Sequence, residues 1–158
     1  MKAKPSATFA AASLAAAAAL FSLPACSSTD LGAFHRPTPA SMGVLLRVHP
    51  DRETALRVAL ESLADSRGGG SRYVSLSTGR SNSLNWGDAW MVARYDAYAS
   101  LRVGQLIIFR TPSGLVCHPI VGRDSGGFIT AGTANARSDF GRVTAENYVA
   151  RVLEVHTW

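Results

Sequence analysis

Read as apolar and polar positions, the chain divides into three textures. Residues 9–23 form an uncharged run dominated by alanine, broken only by Ser13 and Ser22. Residues 27–43 have no period and carry Pro37-Thr38-Pro39, the texture of a spacer. The third texture begins near Gly43 and is that of a packed domain. Gly43 to His49 predicts a first strand. After Pro50, Asp51 is placed to cap a helix and Glu53 falls in its first turn. Leu56, Ala59, Leu60 and Leu63 then recur at helical spacing until Gly68-Gly69-Gly70 ends the pattern, so an amphipathic helix is expected over 51–66 with its leucine stripe in the core.

From Tyr73 onward short apolar runs alternate with Gly, Ser, Asn and Pro, which favours strands. The runs are Tyr73 to Leu76, Ala89 to Ala93, Gln105 to Phe109, Leu115 to Val121, Phe128 to Ala131 and Tyr148 to Val155. Arg110-Thr111-Pro112-Ser113-Gly114 and Arg123-Asp124-Ser125-Gly126-Gly127 have the composition of hairpin turns, so the third, fourth and fifth of these runs should lie side by side. The fold class expected is mainly β (α+β): a small bent antiparallel sheet or partly open barrel with one N-terminal amphipathic helix. The expected layout is a leader at 1–25, a linker at 26–43 and one domain at 44–158, as 158 residues allow.

Composition adds one constraint. The mean hydropathy is +0.08 and the formal net charge +5, but both lysines, Lys2 and Lys4, precede the alanine run. Without the leader the chain keeps 14 basic residues, all arginine, against 11 acids. These arginines are spread singly from Arg36 to Arg151 instead of clustering on one element, so no nucleic-acid partner is expected.

The leader has the order of a secretory signal: positive residues, an apolar stretch, then small residues. Leu23-Pro24-Ala25-Cys26 resembles a bacterial lipobox, which implies that Cys26 is acylated and becomes the first residue of a lipid-anchored chain. Several acyl chains on one residue hold a protein durably at a membrane, at about 0.8 kcal/mol per buried methylene. The resemblance implies a place in the bacterial cell envelope, on the periplasmic face of the outer membrane if the host is diderm, since Ser27 follows the cysteine. Cys117 then has no intramolecular disulfide partner.

For chemistry, His35, His49, His118 and His156 stand isolated, with no paired metal-ligand spacing, and no phosphate loop is present, so no metal or cofactor is expected. Nucleophilic catalysis has better candidates. Thr78 to Leu84 is a polar turn after a strand and presents Ser81 and Ser83. Val116, His118 and Ile120 share one strand face, and Pro119 pushes His118 to extended geometry. Ala131 to Asp139 is a glycine-containing turn that ends in a carboxylate. Serine needs a base, and an acid on the far imidazole nitrogen fixes its tautomer. With no lysine in the mature chain, histidine is the remaining base.

Four segments resemble the type I signal peptidase and LexA-type repressor superfamily of serine peptidases. They are Gly79-Arg80-Ser81-Asn82 with Gly87-Asp88, Leu101 to Arg110, Cys117-His118-Pro119-Ile120-Val121-Gly122, and Phe128 to Asn135 followed by Asp139. The third is similar to the strand of the histidine-using members. Asn82 stands where the family has Met, and Gln105, Pro119 and Thr133 where it mostly has Asp, Arg and Asp. The serine turn is about two residues shorter, so Ser83 aligns as an alternative nucleophile. The resemblance implies a serine endopeptidase with Ser81 as nucleophile, His118 as base and Asp139 as orienting acid, acting on an exported peptide or protein. The alternative is a catalytically inactive envelope lipoprotein that binds extended peptides through the same groove.

Overall fold

The computed structural model describes residues 38, 40–64, 72–77, 87–133, 135 and 137–158. Among these described residues seven strands, one α-helix and a turn of 3₁₀ helix at Tyr98–Ser100 are formed, with the strands and α-helix in the order β1 (Leu45–Val48), α1 (Arg52–Ala64), β2 (Arg72–Ser77), β3 (Ala89–Arg94), β4 (Leu106–Thr111), β5 (Gly114–Asp124), β6 (Gly127–Thr130) and β7 (Tyr148–Thr157). All pair into one sheet in the spatial order β2-β3-β7-β4-β5-β6, with β1 also on β7, and the sheet curls into a half-barrel. Both expected hairpins form, β4–β5 across Thr111 and Gly114 and β5–β6 across Asp124 and Gly127. One pairing departs from an all-antiparallel sheet. β1 runs parallel to β7, with Leu45 opposite Glu154 and Val48 opposite Thr157, because α1 returns the chain across the sheet before β2 begins.

The alternation of side chains sorts the sheet into two apolar layers. One holds Met91, Leu106, Ile108, Cys117, Val152 and Val155. The other holds Leu101, Ile107, Phe109, Ile120, Phe128, Val143 and Tyr148. Val152 and Val155 share a layer although they are three apart, because the β3–β7 register shifts between Val92 and Ala93. An inserted residue of this kind restores the pleat and sharpens the bend.

The helix starts where its cap requires. Asp51 Oδ1 accepts the Thr54 amide at 2.7 Å and Asp51 Oδ2 accepts the Thr54 hydroxyl at 3.0 Å. These bonds, the backbone one first, hold the Asp51 carboxyl below its ordinary pKa. Of the expected stripe Leu56, Ala59, Leu60 and Leu63, Ala59 alone is fully buried. Ala55 and Ala59 are fully buried, while Leu60 is 49% exposed. Small side chains at 55 and 59 let α1 settle closely on β3 and β7, and Ser62 on the same line donates to Glu154 Oε2 at 3.0 Å. Residues 65 and 66 of the expected helix lie outside the described residues.

Candidate active site

Pairing fixes His118. It stands on β5 opposite Ile107 of β4, on the face that carries Phe109, Ile120 and Phe128. The Phe109 ring meets its imidazole edge-on, with centroids 6.2 Å apart. Phe128 and Thr130 of β6 point inward on alternate positions and are both buried. Beyond Thr130 the chain turns, with Asn135 N–H bonded to Gly132 O, and returns so that the Asp139 amide donates to Thr130 O at 2.8 Å. That backbone bond sets the carboxylate beside the imidazole.

His118 Nδ1 lies 2.7 Å from Asp139 Oδ2, and Thr130 Oγ1 donates to the same oxygen at 2.6 Å. An ionised carboxylate only accepts, so the imidazole proton sits on Nδ1 and the Nε2 lone pair is left bare. This is the tautomer a general base needs. The side chains of His118 and Asp139 are 13% and 21% exposed, so the pair is sheltered without being sealed. A cavity of about 420 Å³ opens on both, lined by Phe109, Pro112, Val116, Phe140 and Arg142 among others. Phe140 is 74% exposed there, an apolar surface next to a polar pair. A larger depression of about 720 Å³ is lined by Asp51 and residues of α1 and touches neither His118 nor Asp139.

Of the residues nominated from sequence, His118 and Asp139 are brought together across 21 positions of chain. Ser81, Ser83 and Cys26 lie outside the described residues. The last described rung before the serine segment is Ser77 opposite Ala89, which itself pairs with Thr157 of β7. Cys117 is not a candidate nucleophile. It alternates to the other layer, and burial pushes its thiol up to about 12. Thr130 was missed from sequence as a site residue. The available signal was its position in Phe128-Ile129-Thr130, where a buried hydroxyl must find a partner.

The arginines are partly absorbed by ion pairs. Arg94 Nε meets Asp96 Oδ1 at 2.7 Å and Arg151 Nε bonds its other oxygen. Burial raises the Asp96 pKa, but the two guanidinium hydrogen bonds outweigh it and hold the carboxyl below its ordinary value. This bridge clamps the end of β3 to β7, and Arg142 Nε pairs with Asp124 at 2.8 Å. Among the described residues no group of three or more His, Cys, Asp or Glu is arranged to hold a metal ion, and no helix is long and apolar enough to cross a membrane. Comparison with family models, with curated proteins and with solved structures finds no match to this chain.

Proposed function

We propose that the chain is a lipid-anchored serine endopeptidase of the signal-peptidase-like type, acting on an exported peptide or protein in the bacterial cell envelope. The observation that carries the reading is the 2.7 Å bond from His118 Nδ1 to Asp139, with Thr130 as second donor to the same oxygen. A strand histidine in a merely structural role needs one hydrogen bond, and many acceptors would serve. Here its partner is a carboxylate fixed by a backbone and a side-chain bond, and both ring and carboxylate line a cavity with an apolar wall.

In this reading Ser81 Oγ attacks the scissile carbonyl and its proton passes to His118 Nε2. Asp139 stabilises the imidazolium that results. The Ser81 amide donates to the oxyanion, a contribution of about 10²- to 10³-fold in rate for one such donor. The His118 proton then goes to the leaving amine, and water repeats the sequence to release the acyl group. Ser83 is the alternative nucleophile. Cys26 carries the lipid, and the tether expected at 27–43 ends short of Met42, which is buried in the core.

A fluorophosphonate probe tests the reading. We expect covalent labelling of the wild-type chain on Ser81, loss of labelling in Ser81→Ala, and a fall of at least about 10²-fold in His118→Ala. Labelling lost only in Ser83→Ala moves the nucleophile by two residues. No labelling of the wild type, with retained binding of an extended peptide, replaces the enzyme with the silent peptide-binding lipoprotein.

A further inference from the structure

A second cluster of titratable side chains, apart from the one at His118, joins the first strand to the last. His156 of β7 is fully buried, and its Nε2 lies 3.3 Å from Glu154 Oε2. Its other nitrogen, Nδ1, lies 3.0 Å from Nε2 of half-buried His49, the residue after β1. The two rings are within 15° of parallel with centroids 5.2 Å apart. That separation is too long for face-to-face contact and matches two imidazoles joined in line by N–H···N. Glu154 also accepts from Ser62 of α1 and lies 3.8 Å from Arg47 Nε of β1.

The tautomers follow in sequence. An ionised Glu154 only accepts, so His156 carries its proton on Nε2 and its Nδ1 is bare. The bond between the rings is then donated by His49 Nε2, which leaves His49 Nδ1 as the site for the first added proton. A cation on His49 still donates to His156, and the contact survives. A second proton has only His156 Nδ1 to bind, and there it meets the His49 N–H head-on at 3.0 Å. The groups that bear on this step are Glu154 on β7, Arg47 on β1, and Asp51 and Arg52 at the start of α1; Arg52 also stands over Trp90, the register partner of His156 on β3.

We propose that the His49–His156 contact is an acid-operated latch on β1, closed while His156 is neutral and opened when His156 takes a proton. Among the described strands β1 rests on β7 alone, by four register pairs, with the His49 amide adding a bond to Thr157 O at 2.8 Å. Losing the side-chain contact at its C-terminal end therefore acts on the element that leads into the domain. Burial first, then His49 and Arg47, disfavour the His156 imidazolium against the pull of Glu154, and its pKa lies below the ordinary 6.5. The latch is thus shut above that pH and opens on the acid side of it.

The test is made on the wild-type chain by NMR, following the His156 ring and the amide exchange of 44–49 and 106–120 on both sides of the His156 midpoint. We expect a midpoint below 6.5 and, once intrinsic exchange rates are divided out, a loss of protection of at least about tenfold in 44–49, with 106–120 unchanged. In His49→Gln, whose amide turns to suit either state of His156, the protection of 44–49 should no longer depend on pH. Unchanged protection of β1 across the His156 midpoint overturns the latch. So does equal loss in 106–120, or unfolding of the whole domain before His156 titrates. Should His49→Gln fail to fold, the wild-type comparison decides alone.

Discussion

Asp139 Oδ2 accepts two hydrogen bonds, and the two donors have separable roles. Asp139→Asn keeps the volume but offers an amide in place of a charge, so the imidazolium loses its stabilisation. Hydrolysis should fall by at least about 10²-fold with a small change in substrate KM, measured by steady-state kinetics on a labelled peptide. Thr130→Val leaves the carboxylate with one partner fewer in a buried place. A loss of about 1 to 2 kcal/mol in urea unfolding is expected, with a milder drop in rate than Asp139→Asn. Cys117, whose thiol is pushed up to about 12 by burial, should resist iodoacetamide in the native chain and react only in denaturant, as peptide mapping would show. His118 and Asp139 were legible in the sequence because an alternating strand and a turn ending in a carboxylate constrain where side chains point. Thr130 and the His49–His156 pair were not, since each depends on contacts between segments that no local pattern encodes; His156 lies 107 residues from its partner.

Among the elements, the hairpins were the most readable. Gly, Pro and Asp fix where β4 turns into β5 and β5 into β6, and pairing then follows from adjacency in the chain. The second of these turns is also the least tolerant. Gly127 has φ +132°, and a Cβ there would meet the Val143 carbonyl oxygen at 2.4 Å. Backbone cannot swing aside as a side chain would. Gly127→Ala should therefore cost at least about 2 kcal/mol in urea unfolding, and it should lower the hydrolytic rate because β6 carries Thr130. The helix was legible in its cap and position but only in part in its buried face. Periodicity marked Ala59 together with Leu60, whereas close packing on β3 and β7 buries Ala59 with Ala55 and leaves Leu60 outside, since the contact distance rewards small side chains over large ones. The parallel pairing of β1 with β7 was illegible for a related reason: it joins the two ends of the domain, and nothing in either strand's own alternation names its partner.

For the whole molecule, acid acts in two stages. The folded value of His156 is depressed, so the fold prefers the neutral ring; its contribution is complete above pH 6.5 and declines below that. Asp96 is also depressed, from 3.8, which for a carboxyl means a contribution present above that value and lost as pH falls through the folded one. Urea midpoints plotted against pH should show a shallow decline below 6.5 and a steeper one near and below 3.8. Asp96→Asn should flatten the second limb only.

The geometry of the sheet also states what the catalytic reading demands. His118 stands in the row of Ile107 and Arg151, whereas the segment that carries the serines starts in the row of Ala89 and Thr157. Six residues along β7 separate these rows, about 20 Å of extended strand. Curl of the half-barrel and the reach of the connection between Ser77 and Ala89 must together close that gap. A crystal structure of the fluorophosphonate-treated protein measures this directly. The account predicts phosphorus on Ser81 Oγ, with that oxygen within about 3.2 Å of His118 Nε2. Both serine hydroxyls unmodified and out of reach of His118, even through one water, would contradict it.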